Sequence, residues 1–188
     1  MPTSHSPSRL NALDPRCVVQ RRMSRASRVA LVKWMSDAEC EWCLTLNPNR
    51  GLPQETELEC LRLAFDDADR TLLGHRYRKK DARRRLLAFI FPEHLSSNLH
   101  FHLAVRAGYG GSKAEQRSRL EALAKAWCER VPSGTFELTE ASDSAGWHRY
   151  ISKEFYGEGN DFWLSSMWWR EGQRKHVLDS SWRDPLLI

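Results

Sequence analysis

The most constraining stretch of the chain is Leu99-His100-Phe101-His102-Leu103-Ala104-Val105. Successive residues of a strand point to opposite faces. Read as a strand, Leu99, Phe101, Leu103 and Val105 make one apolar face that has to be covered. His100, His102 and Ala104 make the other. A rise of ~3.3 Å per residue puts the two imidazoles roughly 7 Å apart at Cβ, so their rings can converge on one ion. Small Ala104 is expected to leave room beside them. Two histidines on a solvated face would give the same pattern, so the rest of the chain has to decide.

The residues just upstream complete a hairpin. Leu86–Phe91 is an apolar run of strand length, and Leu95-Ser96-Ser97-Asn98 supplies turn residues. Glu93, at the end of the first arm, then comes near the two histidines across an antiparallel pair. His94 is its rival as a third ligand. Two imidazoles and a carboxylate can hold a divalent ion with open positions; in a cell this ligation suits Mg²⁺ or Mn²⁺.

Earlier in the chain, Glu41–Leu46 reads as the first strand, stopped by Asn47-Pro48-Asn49-Arg50-Gly51. Cys40 and Cys43 form a lone CxxC with no second pair at zinc-finger spacing, so Cys43 is expected as a small buried strand residue. Leu58, Leu61, Phe65, Ala68 and Leu72 give one helical stripe between Pro53 and Gly74. Then follow Arg76, Arg78, Lys79, Lys80, Arg83, Arg84 and Arg85 against Asp81 alone, either a solvated face or a phosphate-binding one.

After the histidine strand, Gly108–Gly111 lacks the Gly-Lys-Ser/Thr of a P-loop. Ser112 and Glu115 form a capping box that opens a helix with Leu120, Leu123, Ala124, Trp127 and Val131 on one face. Thr135–Thr139 alternates as a short strand. A last helix spans Trp147–Phe155, with Ser142, Asp143 or Ser144 as cap. Trp147, Ile151 and Phe155 share its packed stripe, and Tyr150 and Lys153 are neighbours on the flank.

Charge and composition bound the setting. The total is +5, yet residues 1–33 hold seven basic side chains and one acid. The Ser-, Pro- and Arg-rich half of that arm reads as disordered. Val29, Leu31, Val32 and Trp34 could bury part of a short helix or strand. No run of eighteen apolar residues exists and no apolar segment follows the N-terminus, so neither a membrane span nor a secretory signal is expected. Five cysteines at irregular positions suit reduced thiols and a cytoplasmic location.

In this order the pieces resemble the HUH endonucleases, in particular their rolling-circle replication-initiator (Rep) branch. Leu44-Thr45-Leu46-Asn47-Pro48-Asn49 looks like the first motif of that family, His100-Phe101-His102 like the second, and Tyr150-Ile151-Ser152-Lys153 like the Tyr-x-x-Lys of the third. The likeness covers roughly residues 40–156. The order also fits: conjugative relaxases place the tyrosine before the histidines. The resemblance implies an α+β, ferredoxin-like antiparallel sheet with the His-x-His strand central. It implies a metal held by Glu93, His100 and His102, with Glu93 matched by position only. Tyr150 would be the nucleophile, leaving a 5′-phosphotyrosine and a free 3′-hydroxyl, with Lys153 beside it. Asn47 and the cluster Arg76, Arg78, Lys79, Lys80, Arg83, Arg84 and Arg85 would contact DNA, the partner being single-stranded or cruciform origin DNA. With no Walker motif in the chain, a host helicase would be needed for replication.

The organisation expected is a basic, partly disordered arm over residues 1–38, a nuclease domain over 39–160, and an aromatic-rich extension over 161–188. The extension's Phe162, Trp163, Trp168, Trp169 and Trp182 are expected to pack on the sheet in preference to stacking on bases. Two alternatives share the fold: a single-tyrosine HUH transposase, and a nucleic-acid-binding module without chemistry.

Overall fold

The alternation at Leu99–Val105 is satisfied in the centre of a sheet. In the computed structural model, which describes residues 25–94, 98–153 and 162–169, it becomes strand β3 (His100–Arg106). Its neighbours are β1 (Trp42–Asn47) and β2 (Leu87–Glu93); β4 (Thr135–Glu140) lies outside β1, and the two-residue β5 (Trp163–Leu164) outside β2. The order is β4-β1-β3-β2-β5, and every neighbouring pair is antiparallel. Strands β1 to β4 alternate with helices α2 (Gln54–Leu73) and α3 (Lys113–Arg130) in the β-α-β-β-α-β sequence of a ferredoxin-like fold.

Helices α2 and α3 cover one face. Leu61, Phe65, Leu120, Leu123 and Trp127 pack on Leu44, Phe101, Leu103 and Val105, all within one buried cluster. Each such side chain contributes about 1.5–3 kcal/mol of transfer free energy. The capping box at Ser112 and Glu115 forms as the sequence requires.

The opposite face is also covered. Helices α1 (Arg25–Asp37) and α4 (Ser144–Ile151) lie there. Leu31, Met35, Ile151, Leu164 and Trp169 close over Phe89, Phe91 and Ala104 in a second cluster. This changes two expectations. Ala104 leaves no room beside the histidines, because it is itself fully buried in that cluster. The apolar residues before Asp37 are a helix inside the folded body, with Leu31 2% and Met35 0% exposed one turn apart, so packing begins near residue 25 and not at 39. Residues 1–24 lie outside the described residues.

Cover on both faces explains why β2 is buried along its whole length. Pro92 is accommodated because β5 pairs with β2 only at Phe89 and Ile90. The extension's aromatics pack as expected: Phe162 stacks on Phe91 with centroids 5.6 Å apart, and Trp168 meets Phe65 at 5.7 Å. Trp182 lies outside the described residues. Cys40, not Cys43, is the buried member of the CxxC. Burial pushes the Cys40 thiol up to about 12 and Cys43 to about 11. Cys43 alternates onto the half-open face of β1, with Thr45 and Asn47.

Candidate metal centre and tyrosine

The hairpin register assembles the centre. Glu93 pairs with His100 and Phe91 with His102, so Glu93, His100 and His102 share one face. Glu93 Oε2 lies 3.0 Å from His100 Nε2 and 2.6 Å from His102 Nε2. All three ligand atoms fall within 4.8 Å of one another. Glu93 is 5% and His102 8% exposed, while His100 is half-buried. His94 takes a left-handed turn conformation (φ 56°) and is exposed, its ring 5.2 Å from that of His100. Among the described residues Glu93, not His94, completes the trio.

His100 Nδ1 lies 3.0 Å from the carbonyl of Asn98, which can only accept, so Nδ1 carries the proton. A neutral His100 therefore turns a bare Nε2 lone pair toward the Glu93 carboxylate. Two acceptors at 3.0 Å need a positive charge between them, a proton or a metal cation. His102 makes the same contact from its Nε2, with Nδ1 3.1 Å from Thr45 Oγ1. Burial holds His102 below the usual imidazole range, against the opposing pull of Glu93, which favours the neutral form a metal requires. The donor set fits a divalent ion, and the Asn98 carbonyl and Thr45 hydroxyl are the outer partners that orient such ligands.

Tyr150 arrives from α4. Its ring lies 5.8 Å from that of His102 and stacks on Trp147 at 5.6 Å. Trp147 in turn meets His102 edge-on at 5.6 Å. Tyr150 is 47% exposed, so it is anchored on one side and open on the other. On the same helix, buried His148 donates from Nε2 to the Cys40 carbonyl at 2.9 Å and sets Nδ1 3.2 Å from Ser36 Oγ, and burial lowers its pKa.

Asp143 is the cap of α4, chosen from the three candidates; its carboxylate accepts from the Gly146 amide at 2.8 Å. The helix stops at Ile151, short of Lys153, and Phe155 lies outside the described residues. The Ser152 hydroxyl bonds back to the His148 carbonyl at 2.7 Å, and the Lys153 amide takes the shorter-range Tyr150 carbonyl. Lys153 is thus just beyond the helix, not on it. Its Nζ still reaches Glu93 Oε1 at 2.6 Å and sits 4.0 Å from the Tyr150 ring centroid. Partial burial pulls the Lys153 pKa down, but the hydrogen bonds to Glu93 and Tyr150 outweigh it and raise it overall.

The basic cluster is not part of this centre. It precedes Leu87, whereas Glu93 ends the same strand, a separation of roughly 20 Å at ~3.3 Å per residue. Arg85 does not join the expected DNA contacts. It is 2% exposed, its Nε bonds Asp69 at 2.6 Å, and its guanidinium lies between the rings of Tyr77 and Trp169 at 5.2 and 4.6 Å. A guanidinium so enclosed cannot reach DNA. Arg78 and Arg83 pair with Asp66 and Asp81 but remain exposed. Arg76, Lys79, Lys80 and Arg84 are exposed, and Asn47 is half-buried on the Thr45 face of β1.

No family model, no curated protein and no solved structure matches the chain. Among the described residues no helix is long and apolar enough to cross a membrane.

Proposed function

We propose that this chain is a metal-dependent nickase and strand transferase for single-stranded DNA, of the HUH replication-initiator type. The observation that carries the reading is the meeting of Tyr150 with a Glu-His-His trio through one shared side chain, His102. Glu93, His100 and His102 would hold Mg²⁺ or Mn²⁺, which supplies positive charge to the non-bridging oxygens of a phosphodiester.

The remaining steps belong to the chain itself. Tyr150 loses its proton to solvent and its Oη attacks phosphorus. The Oη–P bond forms as the P–O3′ bond breaks, and the departing 3′ oxygen takes up a proton. The 5′ side of the strand stays on Tyr150, and return attack by a 3′-hydroxyl restores the diester. The Lys153 ammonium beside the ring favours the tyrosinate and offsets phosphate charge. Arg76, Lys79, Lys80 and Arg84, at the far end of β2, serve phosphates remote from the scissile one. The substrate is single-stranded or cruciform origin DNA of a plasmid or phage, unwound further by a host helicase, in the cytoplasm. A passive nucleic-acid platform would leave the convergence of Tyr150, Lys153 and the trio without a role.

The test is cleavage of single-stranded plasmid and phage origin DNA in Mn²⁺, with a denaturing gel for the protein–DNA adduct. Tyr150→Phe removes one hydroxyl, so the fold survives and the adduct disappears. Adduct of undiminished yield in that variant would refute the assignment of the nucleophile.

A further inference from the structure

A groove of about 320 Å³ opens beside Tyr150. Its floor is Cys43 and Thr139, a cross-strand pair of β1 and β4. Ser142 and Asp143 stand on its rim, and its wall is the stacked pair Trp147 and Tyr150, 22° from parallel. No lysine or arginine lines it, so it is not a phosphate site. Its one glutamate, Glu140, is occupied by Lys113 at 2.9 Å. An aromatic wall with a polar rim suits an uncharged flat ring.

Position and chemistry then narrow the ligand. Thr45 touches His102, and Cys43 lies two residues along the same strand, ~7 Å away. That step is of the size of one nucleotide in an extended single strand. Asp143 uses Oδ1 to cap α4, while Oδ2 has its nearest cation, Arg149, at 3.9 Å. Oδ2 is therefore available to accept from a ligand. Any side chain at Gly146 would collide with this carboxylate, so glycine there keeps the cap and the groove compatible.

We propose that this groove is a base subsite for the nucleotide next to the scissile phosphate, preferring a base with an exocyclic amino group, such as cytosine or adenine, over thymine. The proposal rests on the nickase reading for placing the phosphate at Tyr150. Carboxylates accept from such amino groups, whereas thymine has none and flanks its single N3–H donor with two carbonyl oxygens that Asp143 repels.

Cys43 on the floor gives a readout independent of cleavage. The full chain, in EDTA, is treated with N-ethylmaleimide in the presence of dC, dA or dT dodecamers. Alkylation of Cys43 is followed by peptide mass spectrometry, with Cys60 as internal reference and anisotropy to verify binding. Bound dC and dA slow alkylation of Cys43 but not Cys60, at roughly fivefold lower concentration than dT, the size of one hydrogen bond at a wet rim. Asp143→Asn keeps the helix cap but puts an amide donor at the rim, so the preference shifts toward dT. Unprotected Cys43 with oligonucleotide bound, equal protection by all three, or no binding at all would overturn the subsite. Metal-dependent cleavage without protection removes the subsite and spares the nickase; protection without cleavage does the reverse.

Discussion

Replacing Glu93 by Gln separates a metal centre from a mere hydrogen-bonded trio. The substitution keeps size and polarity but removes the charge that both imidazoles face at 3.0 and 2.6 Å. Without metal the effect on stability is small. The Lys153 side chain is 37% exposed, so its ion pair with Glu93 is screened and worth under ~1 kcal/mol. With metal the difference is large. Ligand at one hundred times its Kd stabilises the folded state by about 2.7 kcal/mol. For a chain of 188 residues, at roughly 2–4 °C per kcal/mol, Mn²⁺ then raises the wild-type Tm by about 5–11 °C. A hundredfold loss of affinity in Glu93→Gln leaves about 0.4 kcal/mol at the same concentration, a rise of ~1–2 °C. The assay is thermal unfolding followed by circular dichroism in Mn²⁺ and in EDTA. Equal Mn²⁺-dependent gains in wild type and variant would refute the trio as the binding site.

Thr45→Val removes the hydroxyl beside His102 at constant volume; Mn²⁺ affinity, read by electron paramagnetic resonance titration, is expected to fall about tenfold. His148 and His102 are both held neutral by burial, so their contribution to stability is complete above ~6.5 and is lost as pH falls through their lowered native values. Urea midpoints measured from pH 8 to pH 5 should therefore decline, and decline less in His148→Gln; an equal decline would acquit His148. Arg85→Ala strands the buried Asp69 carboxylate and should cost about 3–5 kcal/mol in urea unfolding. Arg84→Ala, on the exposed cluster, should change stability by less than ~0.5 kcal/mol but flatten the salt dependence of DNA binding.

Where the sequence was legible, one period governed one environment. The Leu99, Phe101, Leu103 and Val105 face of the alternation and the stripe from Leu58 to Leu72 pack into one apolar cluster, and both elements form as read. The hairpin followed from adjacent strands and turn residues, and it alone put Glu93 opposite His100. What escaped depended on contacts between distant segments. Thr45 could be seen in a strand, but not as the partner of His102, because the β1–β3 register joins residues 57 apart. The fate of Arg85 is hidden for the same reason: within its run of like charges nothing marks it apart, and the groups that enclose it, Asp69, Tyr77 and Trp169, lie elsewhere in the chain. Trp147 read as core on its helical stripe, whereas its ring both packs and frames the centre, touching His102 and Tyr150.

The second apolar cluster explains why the centre opens at one end of the sheet only. Along the His face of β3, Ala104 is sealed beneath α1 and the segment around Leu164, while His100 remains half-exposed. The boundary between these regimes is the end of α4. Ser152 turns its hydroxyl back onto the helix and is itself fully buried. Lys153 follows just beyond the helix end, and its ammonium reaches one oxygen of Glu93 while the other faces both imidazoles. A carboxylate divided in this way is fixed from two sides. Its orientation is set by a cation that also lies over the Tyr150 ring, so the ligand trio and the tyrosine are held in register by the same side chain.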